Sequence, residues 1–428
     1  MKDVLDRVRS RLGSSFLRDV AKLSLGTLGG RLIALAALPF VTRLYSPADF
    51  VLLATYLALV STIAVAACLR MEIAIPLADT DADAAGLLLL AIIALSSVVL
   101  LVSVPILLVP DQVAMLLGNP GIERYLWLVP LGVAMAGSYS ALQFWSTRAR
   151  RFGDIARTRV GQAATGVVTM LGLGSAGVAP LGLLLGHMLN IGAGGIRLGY
   201  AAMRNEHSTL RAVRFSTLGG TLRRYRRYPI YSTPEALANV AGMQIPILII
   251  AAVSGGEAGQ LFLAMQVMAA PMTLLGISIS QVYVSRAPTE YREGRLAPFT
   301  LGIMRRLVLV GVGPLILAGA LAPVVFPWLF GAQWARAGEI VTWLVPWMAL
   351  QFVGAPISMV MHIVGWQRAM LVLTTLGLVM RVVFTVVALG GGFAAVECFA
   401  VASAAFHFLR CAVFISAAKA NISESPRV

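Results

Sequence analysis

Charge is the scarcest commodity in this chain. Asp, Glu, Lys and Arg make up 12% of its 428 residues, against 58% hydrophobic residues. A water-soluble domain of this length needs far more charged surface, so that class is excluded. Cysteine is nearly absent as well. Cys68, Cys398 and Cys411 all fall in apolar runs with no CxxC pair, a pattern that implies neither a disulfide framework nor a metal site. No Walker A loop, HExxH or GxSxG occurs, so neither ATP hydrolysis nor catalytic chemistry is indicated, and no cofactor is expected. The N-terminus lacks the short apolar core and small-residue cleavage site of a signal peptide.

What the chain has instead is long apolar runs. A run of about 20 residues matches a bilayer-spanning helix. Breaks at charges, glycines and prolines give twelve such runs, at 22–42, 50–69, 85–109, 125–146, 156–177, 180–202, 231–253, 258–284, 304–328, 338–362, 367–389 and 393–416. The expected class is all-α, a polytopic membrane protein. Before the first span, Val4, Val8, Leu12 and Phe16 recur every fourth residue among basic neighbours. That pattern fits a short helix on an anionic membrane surface, or equally a frayed basic tail.

The 34 basic residues test the count, because a missed span would scramble their alternation. They sort 27 to 3: the N-terminal tail, the 148–159, 204–227 and 286–306 loops, Arg70, Arg368, Lys419 and Arg427 share one side, and Arg43, Arg124 and Arg336 lie on the other. Both termini are therefore expected in the cytoplasm. The net charge of +15 then reflects topology and anionic-lipid contact, not a nucleic-acid footprint. The opposite loops are short, the longest running roughly from Asp111 to Glu123, which counts against an enzyme with a folded outer loop.

The basic linker at 204–229, ending RRYRRYP, follows the sixth span. It divides the chain into an N-lobe at 22–203 and a C-lobe at 230–418, with an interfacial segment at 1–21 and a tail at 419–428. An even span number makes the halves parallel repeats. ALPFVTRLYSPADFVLLATYLAL (37–59) resembles QIPILIIAAVSGGEAGQLFLAMQV (244–267): a proline, a short turn with an acid (Asp49, Glu257), then an apolar helix. Gly26, Gly29, Gly30 and Pro39 interrupt the first span, and Pro234, Gly242 and Pro246 the seventh. Such breaks suit either a substrate path between the halves or tight helix packing.

Four arginines (Arg31, Arg197, Arg381, Arg410) and two glutamates (Glu235, Glu397) fall within spans. A charge at the bilayer centre costs about 2.5–3.5 kcal/mol on insertion scales, so it usually meets a cavity or a partner. Arg31 and Arg381 lie deepest; Arg197 and Arg410 are near cytoplasmic ends, where long side chains snorkel. Arg70 and Glu72, in CLRMEIAIP, stand at the inner mouth of the second span, where they can pair. Glu235, a turn into the seventh span, reads as a cation or proton site, a counter-ion or a helix cap. His187, His362 and His407 are isolated on different spans and read as packing residues. Four guanidinium groups against two carboxylates suit an anionic substrate, above all a phosphate, through bidentate hydrogen bonding.

Several segments resemble bacterial polysaccharide-unit flippases of the Wzx type: RLIALAALPFVTRLYSPADF with LRMEIAIPL, and YPIYSTPEALANVAGMQIPILIIAAVSGGEAGQLFLAMQVMAAPMTLLG. VVFPWLFGAQWARAGEI (324–340) is the most specific, similar to that family's FG-x-x-W-x-x-AG turn through Phe330, Gly331, Trp334, Ala337 and Gly338. Val51 departs from the glycine often found there. The resemblance implies membership of the multidrug/oligosaccharidyl-lipid/polysaccharide exporter superfamily, with two six-helix lobes around a central cavity and alternating access. It implies a flippase, not an enzyme, for undecaprenyl-pyrophosphate-linked oligosaccharide units in the bacterial inner membrane. Its partners would be the lipid-linked oligosaccharide, membrane lipids, and a glycan polymerase with chain-length machinery. On that reading Arg31, Arg70 and Arg381 bind pyrophosphate, while Glu235 and Glu72 act as coupling or counter-ion residues. Trp334 is a fold signature, with interfacial anchoring as its local role. The alternatives are a cation-coupled multidrug or metabolite exporter of the same superfamily and a membrane glycan polymerase or ligase.

Overall fold

The computed structural model describes residues 14–211, 213 and 215–420. Twelve long helices carry the fold: α1 (Ser14–Leu44), α2 (Pro47–Ala67), α3 (Asp81–Leu108), α4 (Leu128–Arg148), α5 (Phe152–Ser175), α6 (Leu181–Asn205), α7 (Tyr228–Val253), α8 (Glu257–Arg292), α9 (Leu296–Phe330), α10 (Ala335–Gly354), α11 (Gln367–Gly390) and α12 (Ala395–Ala420). No strand occurs among the described residues. Each predicted span coincides with one helix, and nine stretches among the described residues are long and apolar enough to cross a membrane. The others, α4, α5 and α8, are helical for 21, 24 and 36 residues. The protein is a multi-pass membrane protein. The surface-helix pattern of Val4, Val8 and Leu12 lies outside the described residues, as does most of the expected C-terminal tail.

Local chemistry sets the helix ends. Ser46 and Asp49 form a reciprocal cap at the start of α2: Ser46 N–H donates to Asp49 Oδ2 at 2.8 Å, and Asp49 N–H to Ser46 Oγ at 3.2 Å. Thr80 caps α3 by accepting from Asp83 N–H, and Asp81 and Asp83 lie in the first turn, where carboxylates favour the helix dipole.

The chain forms two compact units. Described residues up to Tyr45, with Tyr56–Leu116 and Pro120–Leu237, make the first; Ser46–Thr55, Leu117–Asn119 and the chain from Ala238 make the second. In the first, α1 packs on α5 through glycine. A Cβ at Gly26 would stand 2.5 Å from Ala156 Cα, and one at Gly30 would stand 3.0 Å from Arg159 O. Tyr45 closes the far end of the seam by donating to Met170 O at 2.7 Å. The basic stretch after α6 is folded into this unit, as helices His207–Arg211 and Phe215–Tyr225 against α3.

In the second unit, α9 packs on α10 and α10 on α12, around Trp347 against Phe399 (ring centroids 5.4 Å apart). Trp334 is fully buried and meets Phe50 edge to face at 4.7 Å. That corrects the interfacial-anchor reading: its indole is enclosed by protein and cannot sit among lipid headgroups. Gln260 fixes the same turn, donating to Gln333 O at 2.8 Å and accepting from Ala337 N–H at 3.0 Å. FG-x-x-W-x-x-AG is thus a packing motif.

Candidate functional site

Much of the basic surface is internally paired. Arg148 bonds Asp81 (2.9 Å) and the carbonyls of Ile75 and Ala78, Arg151 bonds Glu206, and Arg224 bonds Asp83 (2.8 Å). These three residues hold the ends of α3, α4 and α5, beyond the topological role read from sequence. A cavity of about 900 Å³ opens at the α4–α5 corner, lined by Pro76, Trp145, Arg148, Arg150, Phe152 and Glu206 among others. No sequence-predicted site residue lines it.

Arg70 and Glu72 do come together, with Arg70 Nη1 3.8 Å from Glu72 Oε1. Leu69 and Arg70 both adopt left-handed backbone conformations (φ 50° and 56°), a cost that non-glycine residues carry only where surroundings enforce it. The corner leads into a 3₁₀ turn, Met71–Leu77, that packs on α3 and α4. Glu72 is 3% exposed, and its Oε2 and the Nε of Arg70 are buried without hydrogen-bond partners among the described residues. Burial pushes the Glu72 carboxyl above the usual carboxylate range, opposed by its own backbone N–H and by Arg70.

Arg31 is exposed on α1, next to Gly30, which lies at the seam with α5 against Arg159 O. It makes no hydrogen bond or ion pair among the described residues. Sequence sorting places Arg159 in the 148–159 cytoplasmic loop, yet the helix starts at Phe152 and carries Arg159 two turns inward. The overlap of that loop with the predicted span 156–177 was the available signal. Arg159 Nη2 donates to Gln143 Oε1 on α4 at 2.9 Å, and its Nε is buried without a partner among the described residues.

Arg381 is 4% exposed, sealed within the second unit between α7, α11 and α12. Its Nε donates to Ser403 Oγ (3.2 Å) and Nη1 to Gly242 O (3.5 Å), and the guanidinium lies 4.6 Å from the Phe406 ring centroid. His407, read as isolated, stands beside it. His407 Nδ1 is 2.8 Å from Ser403 O; a carbonyl only accepts, so Nδ1 carries the proton and offers Arg381 no acceptor. Arg410 lies over Phe414, 5.3 Å from its centroid. Arg197 is exposed.

Glu235 is half-buried in the first turn of the α-helical part of α7, just after the π turn Tyr228–Ser232, and makes no ion pair among the described residues. Glu397 is engaged: Arg336 bonds it together with Glu257 (2.9 Å) and Glu339 (3.0 Å), tying the N-terminal ends of α8, α10 and α12. Among the described residues no group of three or more His, Cys, Asp or Glu could hold a metal.

Comparisons with known proteins fit this architecture. The chain matches none of the curated proteins. Among solved structures it is similar to the lipid II flippase MurJ in an inward closed conformation, with TM-score 0.72 at 12% identity over 94% of this chain and 88% of that one. It is also similar to a MOP superfamily transporter from Pyrococcus furiosus (TM-score 0.63, 13% identity, 95% of each chain). An inward-facing multidrug resistance MATE family transporter of the MOP superfamily gives 0.61 at 15% identity over 94% of each. At such identities the likeness establishes the fold. Residues 40–339 match the model of a family described as polysaccharide biosynthesis protein, and the chain belongs to that family, built on the MOP-superfamily transporter fold.

Proposed function

We propose that this protein is a flippase that moves undecaprenyl-pyrophosphate-linked oligosaccharide units, precursors of O-antigen or exopolysaccharide, from the inner to the outer leaflet by alternating access. Arg31 carries the reading. It is a guanidinium on an apolar helix, exposed, and without a carboxylate partner among the described residues. Leaving such a group to hydrocarbon costs several kcal/mol, and a pyrophosphate relieves that cost through charge-assisted, bidentate hydrogen bonds. Family membership and the likeness to a lipid II flippase support the same substrate class. In this scheme Arg70 attracts the headgroup at the cytoplasmic mouth, and Arg381 joins when α7 moves off α11. Glu72 and Glu235 serve as counter-ions or coupling residues. The protein sits in the bacterial inner membrane with both termini in the cytoplasm, as the 27-to-3 distribution of basic residues supports. A glycan polymerase and its chain-length machinery take up the flipped unit.

The test is deletion followed by complementation. Arg31→Ala, at wild-type abundance, is expected to lose surface glycan and to accumulate lipid-linked units on the cytoplasmic face. Full restoration of surface glycan by that variant would refute the role of Arg31. A cation-coupled exporter is the rival reading, favoured by the half-buried Glu235. It predicts that Glu235→Gln abolishes drug or metabolite efflux while surface glycan stays intact.

A further inference from the structure

A polar rung crosses between α4 and α5 in the first unit: Arg159 Nη2 donates to Gln143 Oε1 at 2.9 Å. One helical turn away, Tyr139, on the Gln143 face of α4, and Gln162, three residues after Arg159 on α5, both come up against Gly194 on α6. A Cβ added at Gly194 on α6 would stand 2.8 Å from Tyr139 Cε2, 2.9 Å from Gln162 Cδ and 3.0 Å from Thr158 Cβ, so these three side chains converge on one point. Tyr139 is 8% exposed and Gln162 5%. Tyr139 Oη, Gln162 Nε2 and Arg159 Nε are all buried with no hydrogen-bond partner among the described residues. Thr158 spends its own proton on Ile155 O at 2.8 Å.

The inventory is one-sided. Arg159 Nε and Gln162 Nε2 can only donate, Tyr139 Oη can donate, and no carboxylate bonds to any of them among the described residues. Buried donors normally find acceptors, because each orphan forfeits its hydration without return. Arg31 adds a second guanidinium from α1: it follows Gly30, where a Cβ would stand 3.0 Å from Arg159 O. Like charges brought together in low dielectric are costly unless an anion bridges them.

We infer that Arg159, aligned by Gln143, is a second binding residue that with Arg31 forms a two-guanidinium clamp for the pyrophosphate of a lipid-linked substrate, with Tyr139 and Gln162 donating to its remaining oxygens. This rests on the flippase reading and deepens it. Gln143 is a positioning residue: its amide oxygen occupies one Arg159 N–H and holds the guanidinium against α4.

The experiment uses the full chain in phosphatidylcholine nanodiscs, with undecaprenyl pyrophosphate as the probe, inorganic pyrophosphate and phosphatidylglycerol as competitors, and binding read by calorimetry. Arg159→Gln is expected to weaken the probe by about tenfold or more, and Arg159→Lys by a few-fold, because a point charge cannot supply the planar fork. Arg197→Gln is expected to bind as wild type. Wild-type affinity in Arg159→Gln overturns the inference; should that variant not fold, wild-type affinity in Arg159→Lys does so. Displacement by phosphatidylglycerol as effective as by the probe itself overturns the pyrophosphate assignment, and displacement by inorganic pyrophosphate alone overturns the lipid-linked source. Complementation separates the two readings. If Arg159→Gln loses binding yet fully restores surface glycan, the flippase reading fails and the anion site stands. If Arg31→Ala abolishes glycan while Arg159→Gln binds normally, only the inference fails.

Discussion

Two pairs of arginines, one pair in each unit, are held in opposite ways. In the second, Arg381 is packed against a hydroxyl, a carbonyl and an aromatic ring, and Arg336 is shared by three carboxylates. In the first, Arg31 makes no hydrogen bond or ion pair among the described residues, and Arg159 keeps a buried Nε unmatched among them. A guanidinium whose donors are spent inside the protein holds helices together. One whose donors are left over is available to something that arrives later. The difference teaches that counting intramembrane arginines is a poor guide to a site, and that counting unspent donors is a better one.

That contrast can be broken by substitution. The largest stability effect is expected at Arg381→Gln, which strands Ser403 and Gly242 O and opens space under Phe406: about 2–4 kcal/mol, read as a lowered unfolding temperature in detergent. A variant as stable as wild type would mean that Arg381 is not the sealed tie described above. Arg336→Gln leaves three glutamates facing one another with a single neutral amide. A loss of about 1–2 kcal/mol follows, and it should shrink when Glu257 and Glu339 are neutralised in the same chain. Arg31→Gln is expected to change stability by no more than about 0.5 kcal/mol while abolishing glycan export; a large stability loss would move Arg31 into the structural class.

The smallest effect belongs to Glu72, and its sign is set by linkage. Its folded-state pKa is raised, so the carboxylate's burial cost is present at pH above that value and vanishes below the ordinary carboxylate range. Glu72→Gln should therefore unfold at a higher temperature than wild type at pH 8 and lose that advantage at pH 4. An equal advantage at both pH values would show that packing, not ionisation, distinguishes the two side chains.

The helices were legible because twenty-residue apolar runs have few other uses, and the basic residues kept the count consistent. Other features were invisible for physical reasons. Trp334 reads as an anchor until Phe50, remote in sequence, is seen against its edge. Arg159 belongs by sequence to a basic loop, and only the helix start at Phe152 and the contact with Gln143 move it inward. Tyr139 and Gln162 carry no signal alone; what marks them is the missing partner, a property of the fold. Arg381 looks like Arg31 in sequence, and burial by neighbouring helices alone separates them.

The left-handed corner at Leu69–Arg70 carries a consequence for sequence variation. Glycine or asparagine at position 70 would adopt that backbone more cheaply than arginine. Selection for stability alone would therefore drift away from arginine there, and selection for a charge at the cytoplasmic mouth would resist the drift. Arg70 is a place where durability and transport pull in opposite directions, so a stabilised laboratory variant altered at that residue is the one to distrust first when it stops moving its cargo.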